Sequence, residues 1–385
     1  MIFVLADDLT GAAEIAGICL RYGLDVSFGI DTVPKKEATV TIIATDTRSL
    51  TADEAYKTHF NLAQNIISKT NNRIFKKCDS VLRGHVLTEL SALMDVTEKS
   101  SVLLQPSNPK GNRCIKNGSY FINDELIENT GFATDPDFPS KTSIIKKLIL
   151  DRTTKAHSLD VHTGQIKKIQ SKGIFVPDCY SVEALSECIH LYNDNMIIGG
   201  SAAFFEQFLI SLKLTNSRIT NKKRQIFNNY MLISGSTHPE SIRFAKTLEA
   251  SNCILMLFPE NLINQEFNET LLDDFVIKIK HVYNENKKVA LRISNEIIPF
   301  EKSASHLKIR MSLIVKRLLA ITNINELFIE GGATTYHILK TLNWKSFTPV
   351  EELDSGVVRM QCNLNPKKYI TIKPGSYAWP NGLLN

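Results

Sequence analysis

Residues 2–6 (Ile-Phe-Val-Leu-Ala) form an unbroken apolar run of strand length, and Asp7-Asp8-Leu9-Thr10-Gly11-Ala12 follows with no loop between. Beyond it, Ala13, Ile15, Ala16, Ile18, Cys19 and Leu20 make a stretch that is apolar on most faces of a helix. The pattern predicts strand, turn and helix in an α/β sheet. The carboxyl end of such a strand is where open α/β sheets place their ligands. Two adjacent carboxylates there repel each other and need a partner, such as a cation, a hydroxyl or a proton. Asp8 or Thr10 could serve only as the helix N-cap, which requires one side-chain oxygen. A cap needs one acid, so the second points to a site.

The alternation continues. Strands are expected at Val26–Ile30, Val40–Ala44, Arg73–Lys77 and 102–104, with a helix over 52–68. Another helix carries Leu87, Leu90, Leu93 and Met94 at the three-to-four spacing of a buried stripe. Residues 106–139 break the rhythm, being rich in Pro, Gly, Asn and Asp, with a hairpin expected through 120–127. An insertion of this length is more often a lid or binding loop than idle surface. The α/β pattern returns through Phe175, Leu185 and Ile197-Ile198 and ends near Leu212. A second block opens with a strand over 230–234, the turn Gly235-Ser236-Thr237-His238 and a helix over 239–250. Later strands at 327–330 and 369–372 run into Gly331-Gly332-Ala333-Thr334-Thr335 and Lys373-Pro374-Gly375-Ser376. Between the blocks, 214–229 carries Arg218, Lys222, Lys223 and Arg224 and no acid, which reads as a solvated linker. The expected division is therefore 1–213, 214–229 and 230–385.

Bulk properties narrow the class. A chain of 385 residues exceeds what one core usually organises, and 43% hydrophobic with 22% charged residues is ordinary for a soluble globular protein. A net charge of +5 is too small to argue for nucleic acid, and the basic stretch lacks interleaved aromatics. No apolar run approaches the ~20 residues of a membrane span. There is no basic n-region or signal pattern. The seven cysteines are scattered and never paired as C-x-x-C, which suits reduced thiols in a cytoplasmic protein.

Three strand ends of the first block carry related chemistry: Asp7 and Asp8; Asp46, Thr47 and Arg48; and Lys76, Asp79 and Arg83. A parallel sheet brings such ends to one edge. Arginine and lysine there suit an anionic group and carboxylates suit hydroxyls, so a small hydroxylated acid would satisfy both. The plainer reading is local pairing; Asp79–Arg83 has i,i+4 spacing, worth only ~0.3–0.5 kcal/mol when exposed. In the second block, small turns opening helices offer free N–H groups and a positive dipole end to an anion. Three of them, one with a lysine, suggest a nucleotide phosphate cradle, although none is a phosphate-loop or dinucleotide fingerprint and glycine pairs are common for backbone reasons alone.

The order of these pieces resembles the four-carbon acid sugar kinases. The matching segments are A-D-D-L-T-G-A at 6–12, D-T-R-S-L at 46–50 and K-x-D-S-x-x-R-G at 77–84. Further matches are P-S-N-P at 106–109, T-G-F-A-T-D-P at 130–136, S-G-S at 234–236, E-G-G-A-T at 330–334, S-G-V-V at 355–358 and K-P-G-S at 373–376. The resemblance implies an N-terminal acid-sugar-binding domain and a C-terminal nucleotide-binding domain, each with a largely parallel sheet flanked by helices, and an active site in the cleft between them. It implies ATP, with Mg²⁺ carried in by the nucleotide, and transfer to the terminal hydroxyl of threonate, erythronate or a 3-dehydro derivative. On that reading Asp7, Asp8, Arg48, Lys77, Asp79 and Arg83 hold the acid, and Asp8 or Asp79 takes the hydroxyl's proton. Ser236, Gly331, Gly332, Ala333, Thr334 and Gly375 lie along the nucleotide and Lys373 meets its phosphates. No metal ligand is assigned. Two departures stand out: Ala333 follows the glycine pair where the family commonly has an acid, and the chain closes with Gly375-Ser376-Tyr377-Ala378-Trp379 instead of a Gly-Phe-Gly-like turn. Trp379 is left between stacking on adenine and packing. A non-catalytic sugar-acid sensor and an NAD-dependent sugar-acid dehydrogenase remain as alternatives. No nucleic-acid or membrane partner is expected, and the oligomeric state is left open, with a homo-oligomer among the options.

Overall fold

The structure, a computed structural model, describes residues 1–68, 72–150, 159–215, 226–236, 238–248, 252–264, 267–294 and 303–384. It divides into two compact units, Met1–Ile219 and Thr220–Asn385. Of the stretch expected to be a linker, 216–225 lie outside the described residues.

In the first unit the strands are β1 (Ile2–Ala6), β2 (Val26–Ile30), β3 (Val40–Ala44), β4 (Arg73–Lys77) and β5 (Ser101–Gln105). An insertion sheet contributes β6 (Arg113–Lys116), β7 (Ser119–Ile122) and β8 (Glu125–Leu126), and β9 (Val161–Gly164), β10 (Gly173–Pro177) and β11 (Ile197–Gly200) complete the set. Eight of them form a wholly parallel sheet in the order β2-β3-β1-β4-β11-β5-β10-β9. Every residue of β1, β2, β3 and β10 is buried. That is the physical reason these strands read as continuous apolar runs rather than alternating ones: helices cover both faces. The helices are α1 (Leu9–Arg21), α2 (Ala52–Ile67), α3 (Val86–Thr97), α4 (Ile145–Leu150), α5 (Val182–Cys188) and α6 (Ala202–Ser211). Phe3, Leu5, Ile43, Val102 and Leu104 pack with Leu62 and Ile66 of α2 and Leu87, Leu90 and Leu93 of α3. Phe75 of β4 instead meets Phe204, Phe205 and Phe208 of α6 at centroid distances of 6.4, 5.0 and 5.9 Å.

The insertion is a three-stranded meander, β6-β7-β8, so pairing starts one strand earlier than the hairpin expected through 120–127. Asn117-Gly118 and Asn123-Asp124 form its two-residue turns, all four with positive φ (50°, 70°, 50° and 62°). Such loops favour Asn, Asp and Gly because their backbone twist matches that of the strands.

The second unit contains β12 (Tyr230–Ser234), β13 (Ile254–Leu257), β14 (Lys288–Arg292), β15 (Glu326–Glu330), β16 (Ser346–Asp354), β17 (Val357–Cys362) and β18 (Tyr369–Lys373). Their order is β13-β14-β12-β15-β18-β17-β16. The first five are parallel, and β17 runs antiparallel to both β18 and β16. The helices are α7 (Pro239–Leu248), α8 (Asn261–Asn264), α9 (Glu269–Asn286), α10 (Ser303–Ile321) and α11 (Gly332–Leu342). Trp379 is buried against Phe244 and Phe328, at 5.8 and 5.9 Å between centroids, so it packs in the core. Among the described residues, no helix is long and apolar enough to cross a membrane.

Candidate active site

In the first sheet β3, β1 and β4 are neighbours, and Ala6 is level with both Ala44 and Lys77. The residues just past these strands therefore meet at one edge. Arg48 donates from Nε (3.0 Å) and Nη2 (2.8 Å) to Asp7 Oδ2 and lies 3.5 Å from Asp8 and 3.9 Å from Asp79. Burial alone would lower the Arg48 guanidinium, but Asp7, Asp8 and Asp79 outweigh it and hold the group firmly charged. Asp8 caps α1, accepting from the Gly11 amide at 2.9 Å with one oxygen and from the Thr10 hydroxyl at 2.6 Å with the other. The approach is tight: a Cβ on Gly11 would stand 2.6 Å from Asp8 Oδ1 and 2.9 Å from Lys77 Nζ, so only glycine fits.

Asp79 is chelated by Arg83, which donates from Nε (2.8 Å), Nη2 (3.1 Å) and its backbone amide (3.2 Å). Burial would raise the Asp79 carboxyl, but Arg48 and Arg83 override it and hold it far below the usual carboxylate range. Arg83 also reaches Asp135 at 3.3 Å and lies over the Phe132 ring. Lys77 is buried, donates to the Cys78 carbonyl at 2.9 Å and sits 4.0 Å from Glu14 of α1. Burial pulls Lys77 down; Glu14, Asp8 and Asp7 more than restore it. Asp7 is only 1% exposed, and its second oxygen, Oδ1, has no hydrogen-bond partner. A buried carboxylate oxygen without a donor is costly and marks a place for one.

Lys76, which shares a strand with Lys77, faces the other way. It forms a fully buried ion pair with Glu89 of α3 at 2.9 Å. Glu89 accepts from Thr47 at 2.5 Å, Thr47 meets the Thr45 hydroxyl at 3.0 Å, and Thr45 donates to the Ala6 carbonyl at 2.8 Å. This chain pins the turn that carries Arg48 to the end of β1. His59 of α2 lies beside Glu89 at 3.8 Å and pairs through Nδ1 with the Ala55 carbonyl. Period-two alternation puts Lys76 and Lys77 on opposite faces, but nothing in the sequence identified Glu89 and His59 as partners.

In the second unit β12, β15 and β18 are adjacent, with Ser234, Glu330 and Lys373 level at their ends. Beyond them is a cavity of about 500 Å³ lined by Gly235, Ser236, His238, Lys308, Gly331, Gly332, Ala333, Thr334, Gly375 and Ser376. Six of the seven expected nucleotide residues thus line one space. Gly331 takes φ +99° and precedes α11 without a side-chain cap, so the amides of the first turn of α11 have no capping side chain. That geometry fits a phosphate. Lys373 does not line the cavity. Its Nζ is buried beneath the turn, ion-paired with Glu330 and donating to the carbonyls of Pro374 and Tyr377. Burial pulls its ammonium down, against the opposing pull of Glu330. Glu330 also accepts from Ser234 and from Ser241, the latter at 2.7 Å. Among the described residues, Lys308 of α10 is the one lysine or arginine lining the cavity, and its place was not legible, because a lysine on a helix carries no positional mark. Among the described residues, no group of three or more His, Cys, Asp or Glu side chains is arranged to hold a metal ion.

A family model described as a sugar-binding N-terminal domain matches residues 2–208, more than half of the 385 residues. A protein named 3-oxo-tetronate kinase from Brucella melitensis is 23% identical, the alignment covering 92% of this chain and 88% of that one. A D-threonate kinase from Salmonella typhimurium is 26% identical over 38% of this chain and 35% of its own. A solved structure of a Haemophilus influenzae protein superposes with a TM-score of 0.72 at 17% identity, covering 98% of this chain and 97% of that one, a likeness of fold.

Proposed function

Given that the chain belongs to the four-carbon acid sugar kinase family, we propose that it transfers the γ-phosphoryl group of ATP to the terminal hydroxyl of threonate, erythronate or 3-oxo-tetronate. The first unit takes the acid, through Asp7, Asp8, Arg48, Lys77, Asp79 and Arg83. The second takes the nucleotide, through Ser236, Gly331, Gly332, Ala333, Thr334 and Gly375, with Lys373 holding the last turn from beneath. When bound, Mg-ATP supplies an electrophilic γ-phosphorus whose charge is largely offset by the metal. The work left to the chain is positioning and charge balance.

The observation that carries this reading is Asp7 Oδ1, a buried carboxylate oxygen with an open lone pair next to fixed cations. A substrate hydroxyl donating there gains the bond that the oxygen lacks. Asp8 is adjacent and takes the proton of a second, terminal hydroxyl: that O–H bond breaks, a carboxylic O–H forms on Asp8, the freed oxygen pair bonds to the γ-phosphorus, and the bond from phosphorus to the β–γ bridging oxygen breaks as ADP leaves. Asp79, gripped by Arg83 and held strongly acidic, is a poor proton acceptor, and its role is to fix Arg83 and Arg48. Asp7→Asn tests the assignment. The amide keeps one oxygen for Arg48 and presents a donor where the hydroxyl needs an acceptor. The variant should stay folded and lose at least about tenfold in kcat/KM for the acid, the scale of one hydrogen bond to a charged group. Unchanged kcat/KM would place the hydroxyl elsewhere.

A further inference from the structure

The cations of the first unit are not equally available. Arg48 has Asp7 at 2.8 Å, Lys77 has Glu14 at 4.0 Å, and Arg83 has Asp79 at 2.8 Å and Asp135 at 3.3 Å. Arg113, the first residue of β6, has no carboxylate within 4.0 Å among the described residues. Its Nη1 donates to the neutral Ser80 hydroxyl, and its guanidinium lies 6.0 Å from the Phe132 ring centroid. Arg83 flanks the same ring at 5.5 Å, and Ser80 is the residue after Asp79, so Arg113 borders the acid site.

Its backbone is held on both sides. The Arg113 amide donates to the Asn108 carbonyl at 3.1 Å and its carbonyl accepts from Asn108 at 2.9 Å, across a turn in which Asn112 takes φ +53°. Two residues on, Ile115 bridges to Cys179. Tyr120 of the neighbouring β7 donates to the Ser80 carbonyl at 2.5 Å, so both strands of the hairpin clamp the residue Arg113 touches. The result is a planar, permanently charged fork held by its strand, with the Glu14 carboxyl in electrostatic range and no carboxylate within 4.0 Å among the described residues.

We propose that Arg113 is the anchor for the substrate's carboxylate. The inference rests on the sugar-acid reading and refines it: Arg83, engaged by two aspartates, holds the pocket's shape beside the acid, and Arg113 supplies the recognition of acid over neutral polyol. The aspartates at the other side of the cluster face the hydroxyls.

The test compares D- and L-erythronate, D- and L-threonate and 3-oxo-tetronate with erythritol, the threitols and erythrulose, which carry CH₂OH in place of the carboxylate. Dissociation constants are measured by calorimetry on the full chain, without ATP. In the parent, at least one acid should bind more tightly than the matching polyol. Arg113→Gln should weaken acid binding by about 10–100-fold, the loss of a charged bidentate partner, and polyol binding by less than about twofold, with the KM for ATP unchanged. Arg113→Lys should fall between, and Ser80→Ala, which removes only the neutral partner, should keep the acid preference. Acid binding within about twofold of the parent in folded Arg113→Gln, or equal weakening of acid and polyol in both Arg113 variants, would overturn the anchor and leave the sugar-acid reading standing. A parent that binds none of these acids would overturn that reading and the anchor with it.

Discussion

At the residue scale, the sequence offered Asp8 two roles, helix cap and proton acceptor. Its oxygens cap α1 through the Gly11 amide and meet the Thr10 hydroxyl, while Arg48 stands 3.5 Å away. Asparagine is an equally good cap but a far weaker proton acceptor. Asp8→Asn should therefore fold with little change in Tm, still bind the acid and lose on the order of 10²–10⁴ in kcat, the scale of a positioned acid–base group. Retained kcat would reduce Asp8 to a cap. The strand-end acids, Arg48 and Arg83 were legible, because an apolar run that ends in charge has only the sheet edge to deliver it to; that argument named Lys76, which turns away to Glu89, and Lys77 was legible only through the motif resemblance. Lys373 was legible as a charge and not as a buried one: its burial comes from Glu330 and the turn 374–377, partners that are distant or uncharged in sequence.

At the scale of elements, the parallel strands were readable from length and apolarity, since both faces are covered. The pair β16–β17 was not, because its alternation is interrupted by register shifts between Pro349 and Glu351 and between Glu352 and Asp354. The start of α11 carries the nucleotide assignment. Gly332→Val places a branched side chain in the 500 Å³ cavity at the first helical residue, where valine is no worse a helix former than glycine. ATP-dependent stabilisation should vanish in thermal melts while acid binding persists; a parent-like response to ATP would move the nucleotide away from α11. The buried chain under Arg48 predicts a pH effect. Burial, partly opposed by Glu89, drops His59 from 6.5 to about 4, and Glu89 is held to about 2 because Lys76, His59 and Thr47 outweigh its own burial. Between pH 6.5 and 4 the unfolded chain binds the His59 proton and the folded one does not, so stability falls as pH falls through that window. The His59 share is on the order of 3 kcal/mol, at about 1.4 kcal/mol for each pH unit. His59→Phe should flatten the decline of Tm between pH 6.5 and 4, and an unchanged slope would show that His59 is not the group responsible.

For the whole molecule, two units that each carry a largely parallel sheet fit several enzyme classes, so fold alone could not choose between a kinase and a dehydrogenase. The choice came from the order of motifs along the chain, which resembles the four-carbon acid sugar kinases, and from the lack of a dinucleotide fingerprint in the sequence. Cofactor preference separates the classes cheaply, since ADP should raise Tm and NADH should not. The most direct measurement of the central claim is acid-dependent release of ADP from ATP by the full chain, across D-threonate, D-erythronate, L-threonate, L-erythronate and 3-oxo-tetronate. At least one acid should be turned over with kcat/KM in the usual enzymatic range of roughly 10⁴–10⁸ M⁻¹ s⁻¹, giving a phosphomonoester on the terminal carbon. ADP release that no four-carbon acid stimulates, from protein that still binds one of them, would contradict the kinase account and leave a sugar-acid sensor in its place.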